Sequence, residues 1–359
     1  MLLADSFING KLFFLQEPAA SGWADTSFFS NHYYWPLGIF PALLLMPFVL
    51  FFGTAFLQGY VSLALSLLIL AGLFLIAKKV GVTTGAAVVL AFAYVFSTAF
   101  IMVAFTPFSW YFAHVVASVC LLFALYFIVA RRSPVLVGLF FTFSFLTRIS
   151  IFLGLPFFIL YYFFFDRSKF AKRIVLFSIP VLFGILIFIT YNYVRFGNIF
   201  ETGYKYQLLF PELIANRNIG MWSLRHFPAN LYLFLLKGPE IIFSEGTAVV
   251  TGIKPSHWGM SFMFTSPILL YAFFANLKNK INLLALSCAG LIAVFLFGSF
   301  GLGAYQYGYR FALDFQPFLF LVLCDVFKGR GLSIPEHLLI FGSFIFNVFM
   351  VIAYFAIRT

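Results

Sequence analysis

An all-α, polytopic bundle of membrane-spanning helices is the fold this sequence predicts, and three observations predict it. Of 359 residues, 63% are hydrophobic and 9% charged, far below the roughly 25% charged residues of a soluble domain. Apolar stretches long enough to span a bilayer recur from Tyr60 to Ile357 with short interruptions. The basic residues between those stretches gather in five small clusters, as expected of cytoplasmic loops. A transmembrane barrel is excluded, because barrel strands alternate apolar and polar residues while Leu283 to Phe300 is apolar on every face.

About ten candidate spans begin near Tyr60, Thr83, Pro107, Pro134, Ser150, Ile174, Met260, Ile281, Phe311 and Pro335. The clusters Lys78/Lys79, Arg131/Arg132, Arg167/Lys169/Lys172/Arg173, Lys278/Lys280 and Lys328/Arg330 are each separated from the next by two spans, so all five fall on one side. By the positive-inside rule that side is cytoplasmic, and the lipid bilayer, not nucleic acid, accounts for the net charge of +11. Residues 1–59 then form a first external loop with an interfacial helix, and 60–193 the N-terminal transmembrane helices. Residues 194–259 make a long external loop, and 260–359 the C-terminal transmembrane helices.

Two segments depart from simple spans. Pro36 to Phe52 is apolar but carries Pro36, Pro41 and Pro47, and reads as a re-entrant or interfacial element on the external face. Leu224 to Phe243, broken by Pro228 and Pro239, reads as a weakly amphipathic stretch in the membrane plane. Cys120, Cys288 and Cys324 lie inside or at the ends of apolar spans and offer neither a disulfide framework nor a zinc spacing. No clear ligand set marks a divalent metal, so the cofactor stays open. Met1 to Gln16 lacks the basic-then-apolar signature of a cleavable signal.

Ionisable residues at membrane depth need a partner or a wet cavity. From Arg132 to Arg148 a helix rises roughly 24 Å, less than the hydrocarbon thickness of about 30 Å, so Arg148 ends below the outer surface. It either clamps an anion bidentately in an external cavity or snorkels to headgroups. Arg310 and Asp314, four residues apart, share a helical face, where they serve a ligand or neutralise one another. His114 near the outer end of its span either hydrogen-bonds a ligand or packs. The first external segment offers Asp5, Glu17, Asp25 and His32, and Asp25, just before an aromatic cluster, is the candidate general base. Tyr33, Tyr34, Trp35, Trp110, Tyr111, Tyr305 and Tyr309 gather at outer ends of spans and read as an aromatic belt before a sugar platform.

Several passages, in order along the chain, resemble the GT-C type of membrane glycosyltransferase, the group that includes protein mannosyltransferases and bacterial aminoarabinose transferases. They are Asn9-Gly10-Lys11-Leu12; Tyr33-Tyr34-Trp35-Pro36 with Pro41 and Pro47; His114 at a span start; and Leu146-Thr147-Arg148. Further on come Tyr191-Asn192-Tyr193-Val194-Arg195-Phe196-Gly197, then Glu201-Thr202-Gly203-Tyr204, and Gly308-Tyr309-Arg310-Phe311. The resemblance implies a polyprenyl-phosphate sugar donor and a glycan, lipid or protein acceptor on the external face of a bacterial or archaeal cytoplasmic membrane. It also implies a catalytic acid in the first external loop. Arg148 and Arg310 would hold the donor phosphate, with His32, His114, Arg195, Glu201 and Tyr204 as further substrate-binding candidates. The group carries a membrane helix before that loop, with the leading acid just after it. This chain starts without such a helix, which implies a truncated or internally started form in which Asp25 is the surviving carboxylate and activity is open. A secondary transporter or lipid flippase, which also uses intramembrane Arg and Asp, is the alternative.

Overall fold

The computed structural model describes residues 1–16, 25–106, 108–303 and 306–356; Glu17, Pro107, Tyr305 and Ile357 lie outside them. The short helix α1 (Leu2–Ile8) precedes a two-residue-turn hairpin of β1 (Ser27–Phe29) and β2 (His32–Tyr34). Helices α2 (Phe40–Phe52), α3 (Gln58–Val80), α4 (Thr84–Phe96), α5 (Phe100–Phe105), α6 (Ser109–Val129) and α7 (Pro134–Thr147) follow. A 3₁₀ segment, Ile149–Gly154, leads into α8 (Leu155–Phe165), and α9 (Phe170–Phe196) closes this half. Next come α10 (Pro211–Ile219), α11 (Phe227–Leu235), the antiparallel pair β3 (Glu240–Phe243) and β4 (Val250–Lys254), and β5 (Trp258–Met260). The last elements are α12 (Phe262–Thr265), α13 (Lys280–Phe297), β6 (Gln306–Gly308), α14 (Gln316–Val326) and α15 (Ile334–Ala356).

Among the described residues five segments are long and apolar enough to cross a membrane: α3, α6, α9 with the turn before it, α13 and α15. The other sequence-predicted spans appear as shorter or broken apolar helices, such as α4 followed by α5, or the 3₁₀ segment followed by α8. Burial sorts them. The window of α6 is 78% buried and that of α9 only 22%, so α6 is the axis of the bundle and α9 a peripheral helix whose Ile179, Leu182, Phe183 and Leu186 face outward. Between α7 and α9 a Cβ on Gly138 would collide with the Phe177 carbonyl; a small residue at that point lets the two backbones meet, the usual device of helix packing in lipid. Thr142 reinforces the contact by donating to the carbonyl of Pro180, inside α9, at 3.1 Å.

The turns carrying the basic clusters touch one another at one end of the bundle. Gly329 donates to the Gly81 carbonyl, Arg173 to the Arg132 carbonyl, and the Lys280 ammonium lies 4.3 Å from the Phe164 ring centre. One expectation needs correction. The chain is mostly helical but not all-α, since among the described residues short strands form three two-stranded sheets. The stretch Leu224 to Phe243 is broken, as its prolines predict: α11 ends at Leu235, and beyond Gly238-Pro239 β3 pairs with β4.

Candidate functional site

Helix α7 starts at Pro134, beside the basic end, and fourteen residues later hands over to Arg148 in extended conformation (φ −138°, ψ 103°). Its rise of roughly 21 Å leaves Arg148 short of a full crossing. Arg310 arrives from another direction. Strand β6 runs parallel to β5 with Trp258 opposite Gln306 and Met260 opposite Gly308, and Tyr309 donates to the Met260 carbonyl at 3.0 Å. The Tyr309 hydroxyl then donates to Asn230 at 3.1 Å, which fixes the backbone immediately before Arg310.

Residues Arg310–Asp314 form a 3₁₀ turn, and this removes one of the two alternatives, the mutual pairing of Arg310 with Asp314. At three residues per turn, positions four apart no longer share a face. Asp314 instead pairs with Arg148: Nε donates to both carboxylate oxygens (2.8 and 3.1 Å) and Nη2 to Oδ2 (2.8 Å). Ser150, two residues past Arg148, donates its hydroxyl to the same Oδ2. The imidazole of His114 lies fully buried with Nδ1 3.2 Å from Asp314 Oδ1, without the alignment of a hydrogen bond. His114 is therefore a neighbour of this pair and not a wall of the cavity: of the two alternatives for it, ligand contact or packing, the structure has the packed one. Packing decides this, since α6 is the central helix and turns that face inward.

Arg148 and Arg310 line one cavity of about 400 Å³, together with Asp25, Arg195, Tyr204 and the aromatic walls Trp35, Trp110 and Trp222. Both guanidinium groups lie over the Phe311 ring, that of Arg148 at 5.6 Å and that of Arg310 at 5.1 Å; Arg310 also lies 5.6 Å from the Tyr111 ring. Such cation–ring contacts hold an arginine side chain without consuming its donors.

Asp25 is suspended from the loop between α9 and α10. Its N–H donates to the Leu208 carbonyl and Leu208 donates back to Thr26, both at 2.8 Å, while Gln207 Nε2 donates to Asp25 Oδ1 at 3.1 Å. Arg217 ties that loop down through the Tyr204 and Gln207 carbonyls. Asp25 has a positive φ of 71°, a conformation L-residues other than Asn and Asp seldom adopt. Burial pushes its carboxyl above the ordinary carboxylate range, and the Arg310 charge pulls it partly back. Burial likewise raises the Tyr204 phenol.

Other sequence candidates have structural duties. Arg195 spends its donors on the Trp35 and Tyr191 carbonyls (2.9 and 3.2 Å) and on Asn192 Oδ1 (3.0 Å), with its guanidinium 3.7 Å from the Tyr191 ring. It borders the cavity but joins the segment before α2 to α9. Glu201 accepts from the Gly203 N–H at 2.7 Å and shapes the loop turn; His32 is exposed and stacks on Phe13 at 3.8 Å. Neither lines the cavity. The aromatic belt also needs correction. Tyr111 and Tyr309 are fully buried in the core, because the segments carrying them turn inward, while Trp35 and Trp110 face the cavity. Ser150, Gln207 and Arg217 escaped sequence reasoning, since nothing local marks them and their partners are remote in the chain.

A second cavity of about 970 Å³, mostly apolar, is lined by α1, α2, the start of α3 and the start of α6; it shares Asp25, Trp35, Gly38, Trp110 and Phe210 with the first. Among the described residues no three His, Cys, Asp or Glu side chains converge as a metal site. No model of a known protein family, no curated protein and no solved structure matches this chain.

Proposed function

We propose that this protein transfers a sugar from a polyprenyl-phosphate-linked donor to a hydroxyl acceptor on the non-cytoplasmic side of a membrane, as the resemblance to GT-C glycosyltransferases implies. One observation carries the reading: Asp25, Arg148 and Arg310, contributed by three distant parts of the chain, line a single cavity with aromatic walls. A phosphate wants guanidinium donors, a sugar wants aromatic faces, and an acceptor hydroxyl wants a base.

In this reading the Asp25 carboxylate takes the acceptor's hydroxyl proton while that oxygen forms a bond to the anomeric carbon. The bond from that carbon to the phosphate oxygen breaks, and Arg148 and Arg310 stabilise the charge left on the polyprenyl phosphate. The position of Asp25 on both cavities suits a base reached by donor from one side and acceptor from the other. Arg148 follows the far end of α7 from the basic turn at Pro134, which supports a site displaced from the middle of the helices, away from the basic clusters. This favours transfer over the transporter or flippase alternative, whose sites lie near the midplane.

The test uses membranes bearing the full chain and a polyprenyl-phosphate donor with labelled sugar. Transfer that disappears in Arg148→Ala and Arg310→Ala is the expected result. Undiminished transfer in both variants overturns the assignment, and donor-independent uptake of solute into vesicles substitutes the transporter.

A further inference from the structure

Asp314 is an acidic side chain fully enclosed beside the cavity, at 0% side-chain exposure, and the transfer mechanism above does not use it. It does not line the cavity, so it cannot meet a substrate there. What it does meet is Arg148, through Nε and Nη2, while Ser150 donates to the same carboxylate from two residues further along the chain. That leaves Nη1 of Arg148 outside the carboxylate fork, on a side chain that is 9% exposed and forms part of the cavity wall.

Two physical consequences follow. A guanidinium gripped along one edge by a carboxylate cannot swing, so its other edge presents donors at a fixed place and loses little entropy when it meets an anion. The Arg148–Asp314 pair is also neutral as a unit, so Arg148 offers the cavity direction without net charge, and each added phosphate charge must be met by other groups.

We infer that Asp314, steadied by Ser150, is a positioning and specificity-determining residue: it aims Arg148 at a ligand phosphate and restricts the site to lipids carrying a single phosphate group over those carrying a diphosphate. This inference rests on the polyprenyl-phosphate reading of the cavity.

The experiment reconstitutes the full chain in nanodiscs and follows the fluorescence of the cavity tryptophans Trp35, Trp110 and Trp222 during titration with a polyprenyl monophosphate and, separately, a polyprenyl diphosphate. Asp314→Asn removes one negative charge and loosens the grip on Arg148. Monophosphate affinity should fall about tenfold or more, while the ratio of diphosphate to monophosphate affinity rises. Ser150→Ala keeps every charge and should weaken monophosphate binding by roughly threefold with the ratio unchanged; it also serves if Asp314→Asn does not fold. Arg148→Lys, which keeps the charge but loses the fork, should cost little more in combination with Asp314→Asn than alone.

Unchanged affinity in either the Asp314→Asn or the Ser150→Ala protein overturns the inference, as does a parallel loss for both lipids at the wild-type ratio in Asp314→Asn, the result of a merely structural role. Failure of the wild-type protein to bind either lipid is a different outcome, and sinks the donor reading itself.

Discussion

Two ion pairs of the same chemistry stand at opposite ends of this bundle. Arg173 pairs with Asp166 among the basic turns, with both side chains 21% exposed, while Arg148 pairs with Asp314 at 9% and 0%. Water screens the first, and its geometry is set by two side chains of neighbouring turns. The second is shut in the protein, with a third partner in Ser150 and a cavity on its open side. The contrast teaches that a charged residue in this chain is informative in proportion to what encloses it.

The comparison breaks most visibly if Arg148→Ala is tolerated. Removing that guanidinium strands a buried carboxylate, a loss of about 3–5 kcal/mol, read as a lower unfolding midpoint in detergent; replacing both partners with apolar residues should recover much of it. Next in size is Asp25→Asn, which should lower transfer by roughly 10²–10⁴-fold while leaving the unfolding midpoint near that of the wild type. Gly38→Ala sharpens the geometry: a Cβ there would collide with the carbonyls of Leu146 and Thr147, just before Arg148. Overpacking of about 1–3 kcal/mol should appear as reduced stability together with weaker donor binding.

The pH dependence follows from Asp25, whose carboxyl is raised by burial. Acting as a base, it must be ionised, so transfer should decline as pH falls through a value above the ordinary carboxylate range, measured as the acidic limb of the kcat/KM profile. Its effect on stability has the opposite sense: a raised carboxyl favours the fold at low pH, and that contribution is lost as pH rises through its folded value. The smallest effect belongs to the exposed pair. Asp166→Asn should change the unfolding free energy by about 0–1 kcal/mol, and a large change there would erase the distinction between the two ends.

Much of this was legible because bilayers impose simple arithmetic. The helix starts near Tyr60, Pro134, Ile281 and Pro335 correspond to α3, α7, α13 and α15 within a few residues, since apolar length and Lys/Arg flanks are local properties. The short α7 and the premature arrival of Arg148 could be counted from Arg132. Pairing could not. Helical spacing suggested Arg310 with Asp314, but a 3₁₀ turn rotates them apart and Asp314 reaches across the bundle to Arg148. His114 likewise depended on which way the central helix turned.

By itself the sequence determined that this chain belongs in a membrane, where its apolar stretches begin, and which few charged residues would be costly to bury; which stretches form one unbroken helix of spanning length it did not determine. Composition, length and flanking charge act residue by residue along the chain, so no neighbour was needed to read them. Only the tertiary structure decided that Asp25 hangs from the loop at Leu208, that Asp314 holds Arg148, and that Asp25, Arg148 and Arg310 border one cavity. The two hydrogen-bonded contacts join residues more than 160 positions apart, and a hydrogen bond depends on where two atoms finish in space, which no local pattern encodes.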